Sequence, residues 1–179
     1  MRAQDKLIAI PKKGLVLRKG DSVKDYEQAR SYRKVKVIRR TGYSLLLNKV
    51  TGVKSGNRSS MLAKIRKGLP FKAVEDLESA YGSTRKEIGS VLAIPISTLS
   101  RRQKTGRLLV DESDRVARLA QIKDAVLAMM QGDDDAAITW LRTPQNILNN
   151  ETPMDHASTE MGSRDVEDLI GRIRHGVFS

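Results

Sequence analysis

The chain has 179 residues, a formal net charge of +12 and apolar side chains at 39% of positions, enough for one sizeable hydrophobic core or two small ones. Aromatic residues make up only 4%, which favours aliphatic helical packing, and the absence of cysteine excludes disulfides and cysteine-based zinc sites. Because the apolar runs are too short to span a membrane and the first residues lack a secretory apolar segment, we expect a cytoplasmic protein.

The positive charge is concentrated in the N-terminal part of the chain. Residues 1–70 contain 19 Lys and Arg against 4 Asp and Glu, a net charge of +15. Residues 71–179 contain 14 against 17, a net charge of −3. The charge therefore predicts a basic N-terminal extension and linker over 1–70. The motifs described below divide the rest into a helix-turn-helix portion over 71–110 and a C-terminal helical portion over 111–179.

Two structures are compatible with the basic extension. Segment 33–40, RKVKVIRR, partly alternates as a strand would, and Tyr43–Val50 would return against it across Thr41 and Gly42 in a short hairpin. A weakly ordered arm fits equally well, because 54–60 is polar, contains glycine and resembles a linker. Basic arms of this kind follow phosphates without reading base sequence.

Segment 85–104, RKEIGSVLAIPISTLSRRQK, has the apolar spacing of a helix-turn-helix. The residues that two short helices would bury against each other are Ile88, Leu92, Ile94 and Leu99. Gly89 permits close approach of the second helix, and Pro95 resists one continuous helix through the turn. Ser97 offers a side-chain oxygen that would cap the second helix.

The outward face of this second helix carries the candidate DNA-binding residues. With Leu99 inward, that face holds Ser97, Thr98, Arg101, Lys104 and Thr105. Such donors and cations suit base edges and phosphates in a major groove, and dimers usually bind repeated half-sites, so we expect a homodimer. The alternative is an ordinary solvated helix pair: Ala93 stands where a turn glycine is usual, and Arg102 where an apolar residue is often buried.

Further helices are predicted on both sides of the motif. Their ranges are Lys72 to near Gly82, Val110–Gln131 before Gly132, Ala136–Leu141 before Pro144, Pro153 to about Met161 with Thr152 as cap and Gly162 as terminator, and Arg164–Arg174. The fold class is therefore all-α. The acidic run 133–135 is expected to complement a helix dipole, because three consecutive residues cannot all face one metal ion.

Nothing in the chain favours an enzyme. It has two histidines and no HExxH, G-x-G-x-x-G or phosphate-binding loop, so no catalytic, cofactor or metal site is expected. Asp155 and His156 are neighbours on a predicted helix and therefore point in different directions.

The segments TLSRRQKTGRLLVDESDRVARL and AITWLRTPQNILNNETPMDHASTEMGSRDVEDLIGRIRHG carry a family resemblance. Residues 70–179 resemble the Xre-type antitoxins of RES-Xre toxin–antitoxin pairs, related to the MbcA and ParS antitoxins. The most specific parts are Glu112-Ser113-Asp114-Arg115, Trp140-Leu141 with Pro144, and Thr152-Pro153 leading to Gly162. One departure is Asn149-Asn150, where the family tends to have paired glycines; asparagine is the least costly replacement if the turn needs positive φ.

The resemblance implies a non-enzymatic inhibitor with two partners. The C-terminal portion would bind a cognate RES-type toxin that degrades NAD⁺, and the helix-turn-helix would bind operator DNA and repress the operon. The implied toxin-binding residues are Arg172, Arg174, His175, Gly176, Val177 and Phe178. Two alternatives remain: a stand-alone helix-turn-helix regulator without a toxin, and a structural nucleic-acid- or ribosome-associated protein driven by the basic extension.

Overall fold

The computed structural model describes residues 45–53 and 57–175, all within the larger of two compact units, Thr41–Ser179. Within those ranges the chain is helical, with two isolated β-bridges and no strand, which confirms the all-α class. The helices are α1 Leu45–Thr51, α2 Arg58–Lys67, α3 Lys72–Tyr81, α4 Arg85–Val91, α5 Ile96–Thr105, α6 Val110–Met129, α7 Asp134–Arg142, a 3₁₀ turn Asn146–Leu148, α8 Pro153–His156 and α9 Glu160–His175. None of the described helices is long and apolar enough to cross a membrane.

Helix α6 is the centre of the fold. Five other helices, α1, α2, α3, α7 and α9, pack directly against it. Its buried apolar side chains include Val116, Ala120 and Ile122, each with 0% of its surface exposed. These belong to one continuous hydrophobic core that runs from Leu46 to Ile170, so the helix-turn-helix and the C-terminal helices share a single interior.

Local sequence signals explain most helix boundaries. Thr84 and Glu87 form a capping box at the start of α4, and α3 ends at Gly82 in the left-handed conformation, with φ of 56°. Asp133 caps α7 by accepting from the amide of Ala136, with Asp134 and Asp135 in the first turn. The acidic run therefore lies at a helix N-terminus, as predicted.

The prediction that Ser97 caps the second motif helix is wrong. Helix α5 begins at Ile96, its N-cap position is Pro95, and no side chain caps it. The fixed φ of proline suits the residue before a helix, and this places Ser97 inside the first turn, where it is exposed.

The predicted return strand over Tyr43–Val50 is also wrong, since Leu45–Thr51 is helical. Leu46 and Val50, four residues apart, are buried on one face of this helix. Its first amides donate to the carboxylate of Asp124 on α6, at 3.0 Å from Leu46 N and Leu47 N. Asp124 thus caps α1 from a position 78 residues later in the chain. The local spacing of apolar residues cannot predict such a contact.

The predicted linker over 54–60 is wrong for its last three residues, because α2 begins at Arg58 with Asn57 as its N-cap. The Asn57 side chain accepts from the amides of Ser59 and Ser60 and caps α2. Residues 54–56 and the predicted strand 33–40 lie outside the described residues.

Gly162 does not terminate a helix, contrary to prediction. Helix α8 ends at His156, and Gly162 lies in the first turn of α9. Any Cβ at Gly162 would overlap the backbone carbonyl of His156. Glycine is therefore required there by close packing of two backbones and not by a turn.

Replacing Asp124 with alanine should loosen α1 selectively. The loss of an acceptor for two helix-terminal amides is expected to lower the free energy of unfolding by about 1–2 kcal/mol. Urea denaturation and hydrogen exchange of the α1 amides measure this. The matched control is Asp114→Ala, an exposed carboxylate on the same helix paired with Arg118, which should cost less than about 0.5 kcal/mol. Unchanged protection of α1 in the Asp124 variant would show that the carboxylate does not hold it.

Candidate functional site

Helices α4 and α5 form the helix-turn-helix pair with the predicted interior. Ile88 and Leu99 are each 0% exposed. A Cβ on Gly89 would lie 2.9 Å from Cδ1 of Leu99 and 3.1 Å from the carbonyl oxygen of Ile94, so glycine allows the two helices to approach. Ala93 occupies the turn with φ of 50°. It therefore adopts the left-handed conformation that glycine usually provides, at some cost in strain.

The structure leaves most of the predicted outer face of α5 accessible. Ser97, Arg101, Lys104 and Thr105 are exposed, and Thr98 is partly buried. The hydroxyl of Thr105 donates to the carbonyl of Arg102 at 3.1 Å. Arg101 and Lys104 form no side-chain hydrogen bond or ion pair with any of the residues 45–53 and 57–175. Both side chains are exposed, as contact with an external ligand would require.

Arg102 reaches toward the start of α6 and has a structural role. Its Nε lies 2.8 Å from Oε2 of Glu112 and 3.0 Å from Oε1. The Glu112 side chain is only 5% exposed, and it also accepts from the amide of Leu109 at 2.8 Å. The Glu112 carboxylate thus caps the N-terminus of α6 and also forms an ion pair with Arg102 of α5.

Ser113 links α6 to the backbone segment before α3. Its hydroxyl accepts from the amide of Leu69 at 2.8 Å and donates to the carbonyl of Leu109 at 2.6 Å. Sequence reasoning missed the roles of Glu112 and Ser113 in the fold. The available signal was a glutamate three residues after Leu109 at a helix start, together with an arginine at a position where an apolar residue is common.

The predicted toxin-facing residues lie at the end of α9. Leu169 and Ile170 anchor this part of the helix in the core, whereas Arg172 and Arg174 are exposed. Neither arginine has an ion-pair partner within residues 45–53 and 57–175. His175 ends α9, and Gly176, Val177 and Phe178 lie outside the described residues.

A cavity of about 250 Å³ lies beside this end of α9. It is lined by Ile147, Leu148, Asn149, His156, Asp165, Leu169 and Arg172. Asn149 and Asn150 form its turn with φ of 55° and 62°. The expectation that these asparagines would adopt positive φ in place of glycines is therefore confirmed.

His156 is an ion-paired structural residue in the wall of this cavity. Nδ1 lies 2.7 Å from Glu151 Oε2, and Nε2 lies 3.2 Å from Asp165 Oδ2. The hydrogen bond to Glu151, opposed by burial and reinforced by Asp165, raises the pKa of His156 above its ordinary value. Asp155 points elsewhere, toward the hydroxyl of Thr152 at 2.6 Å. The two neighbours diverge as predicted, and the described residues contain no cluster suited to a metal ion.

Comparison with known proteins separates the chain into two matched parts. Residues 60–121 match the Antitoxin Xre-like helix-turn-helix domain, and residues 125–176 match the Antitoxin Xre/MbcA/ParS C-terminal toxin-binding domain. Antitoxin Xre of Yersinia enterocolitica is 33% identical over 129 residues, which cover 72% of this chain and 87% of the relative. The chain belongs to the Xre antitoxin family.

Two further antitoxins of the family are similar to this chain over different lengths. Antitoxin Xre of Photorhabdus laumondii is 33% identical over 132 residues, covering 73% of this chain and 89% of the relative. Antitoxin Xre of Pseudomonas putida is 37% identical over 84 residues, covering 46% and 52%. In this member of the family the two matched parts meet within α6, so one continuous helix joins them.

The stability of the protein should depend on pH through His156. Because its folded-state pKa is raised, the ion pairs contribute fully below the unfolded pKa of about 6.5, and their contribution is lost as pH rises through the folded value. Chemical denaturation from pH 6 to 9 should show a decline in unfolding free energy that His156→Gln removes. His175→Gln, at the other histidine, is the control and should retain the decline. Equal pH profiles for the parent and His156→Gln would disprove the assignment.

Proposed function

We propose that this chain is the antitoxin of a type II toxin–antitoxin pair. It binds and neutralises a cognate RES-type toxin that degrades NAD⁺, and it represses its own operon by binding DNA. The match of residues 125–176 to a toxin-binding domain of the Xre, MbcA and ParS antitoxins carries the proposal. Relatives named Antitoxin Xre, 33% identical over most of their length, support it.

The end of α9 provides the proposed toxin contact. Buried Leu169 and Ile170 fix the helix, and the exposed Arg172 and Arg174 then lead into residues 176–179. A guanidinium group presents a rigid set of donors to carboxylates and phosphates. Arginines here would pair with acidic groups flanking the toxin's NAD⁺ pocket or block its entrance, and Phe178 would anchor in an apolar depression. The competing role is simple complementation of the helix dipole.

The outer face of α5 provides the proposed DNA contact. The helix is ten residues long, about 15 Å, which fits the major groove. In this proposal Arg101 would make a bidentate contact with guanine, and Lys104 would contact a phosphate. Because helix-turn-helix proteins usually recognise repeated half-sites, the functional DNA-binding species is proposed to be a homodimer within a larger toxin–antitoxin complex.

A stand-alone regulator is the second candidate, since the accessible donors on α5 would serve DNA binding without any toxin. The two functions differ in one simple observation. An antitoxin should co-purify with the product of the adjacent gene, whereas a stand-alone regulator should bind its operator without such a partner.

Removal of residues 172–179 should release the co-expressed toxin, because it deletes the proposed contact. The buried Leu169 and Ile170 stay in place, and the core loses only the partly buried Ile173. Cell growth and NAD⁺ content measure the effect. The double variant Arg172→Ala, Arg174→Ala should weaken protection in the same direction. Arg164→Ala is the matched control, since this arginine lies on the same helix but pairs with Glu160. Full protection by the truncated chain, together with an intact complex, would refute the tail contact.

Arg101 and Arg102 give a matched test of DNA reading. Arg101→Ala should weaken operator binding and relax base discrimination by about 1–3 kcal/mol, because it removes a base contact. Arg102→Ala should instead lower the melting temperature, because it leaves the buried Glu112 carboxylate without its partner, and base discrimination by the folded protein should persist. Binding to a panel of operator variants and thermal denaturation separate the effects. An unchanged specificity profile for Arg101→Ala would rule out this residue as a base reader.

A further inference from the structure

The cations of the described residues fall into two groups, paired and unpaired. Many of them pair with carboxylates: Lys49 and Lys72 with Asp76, Arg85 with Glu78, Arg115 with Asp111, Arg118 with Asp114, and Lys123 with Asp134. Apart from the end of α9, the described cations without an ion pair lie on α2 and on the helix-turn-helix: Arg58, Lys64, Arg66, Lys67, Lys86, Arg101, Lys104 and Arg107. Ion pairs therefore neutralise most described cations outside α2, α5 and the end of α9, whereas every cation of α2 lacks a carboxylate partner among the described residues.

Helix α2 is basic and carries no acidic residue. Met61 is buried and Ile65 packs against the core, which fixes the inward side of the helix. Arg66 and Lys67, in the last turn, are exposed. Their charges therefore project into solvent from a helix with a fixed position.

Backbone contacts join the end of α2 to the end of α5. Pro70 and Arg107 form an antiparallel bridge, with Leu108 N donating to Leu69 O at 2.9 Å and Phe71 N to Gly106 O at 3.0 Å. Gly68 permits this close approach, because its φ is 86° and a Cβ would overlap the carbonyl of Leu108.

Arg107 occupies the junction itself. Its Nη1 donates to the carbonyl of Gly68 at 2.9 Å, so it covers the negative end of the α2 dipole. Because Arg107 already interacts with the carbonyls at the end of α2, Arg66 and Lys67 are not needed to neutralise that helix end. Both side chains are exposed to solvent. The last turn of α2 is adjacent to Gly106, where the outer face of α5 ends.

We propose that the last turn of α2, with Arg66 and Lys67, is a phosphate-binding surface that extends the α5 interface along the backbone of the same DNA duplex. The inference rests on the proposed DNA binding. It adds contacts that position the protein without reading bases. The surface lies outside the predicted recognition face, which was confined to α5.

Duplex DNA fits this surface better than a protein partner does. The cluster contains cations without interspersed carboxylates or exposed aromatic anchors, and it is joined to the helix proposed to enter the groove. The regularly spaced phosphates of a duplex can pair with these cations, and the release of condensed counterions favours binding. The competing explanation is that Arg66 and Lys67 only complement the α2 dipole, which predicts an effect on stability alone.

The test is the salt dependence of DNA binding by the full chain carrying Arg66→Gln and Lys67→Gln. The probes are a duplex from upstream of the gene and an unrelated duplex of equal length. Loss of two phosphate contacts should reduce the slope of log K against log salt by about 1.8. The decrease in affinity between about 50 and 200 mM salt should then be roughly tenfold smaller than for the parent. Affinity should fall by the same factor for both duplexes, with the melting temperature unchanged.

The matched control is Arg118→Gln with Arg164→Gln, which removes the same charge from arginines paired with Asp114 and Glu160. It should keep the parental slope. If the parent prefers the upstream duplex and the α2 variant keeps the parental slope, this inference is wrong and the proposed DNA function stands. If the parent binds no duplex, both are wrong. A parental slope combined with loss of toxin co-purification would assign the surface to a protein partner instead.

Discussion

The fold depends on polar side chains of α6 that reach other parts of the chain from within a mostly apolar interface. Glu112 holds Arg102 of α5, Ser113 holds the backbone before α3, and Asp124 caps α1. Buried polar groups are costly unless they find partners, so each contact fixes one relative position. The apolar core supplies the free energy of burial, whereas these polar contacts specify which helices meet and in what register.

This arrangement gives the two proposed interfaces a common support. Helix α6 is 20 residues long, about 30 Å, and it packs directly against α9 while its Glu112 pairs with α5. Arginines on the same scaffold consequently have different roles. Arg102 is used by the fold, whereas Arg101 and Arg172 remain accessible for partners. The pattern of internal pairing thus separates structural residues from candidate binding residues, which the net charge of the chain does not do.

Sequence patterns predicted those features whose causes are local. The spacing of Ile88 and Leu99 predicted the motif interior. The family resemblance, together with the tolerance of asparagine for positive φ, predicted the turn at 149–150. Features caused by distant contacts were missed. Helix α1 depends on Asp124, 78 residues away, and Gly162 is required by the carbonyl of His156 in the preceding helix. The partner of an exposed side chain cannot be predicted from periodicity, so the DNA and toxin contacts remain predictions.

Neutralisation of an NAD⁺-degrading partner by the C-terminal portion is the proposed function of this chain. The most direct measurement is the rate of NAD⁺ loss catalysed by the purified product of the adjacent gene, titrated with the full chain. If the chain is the antitoxin, NAD⁺ loss should stop at a fixed stoichiometric ratio, as a stable complex forms. An unchanged rate of NAD⁺ loss at excess antitoxin, with no complex detected, would contradict it.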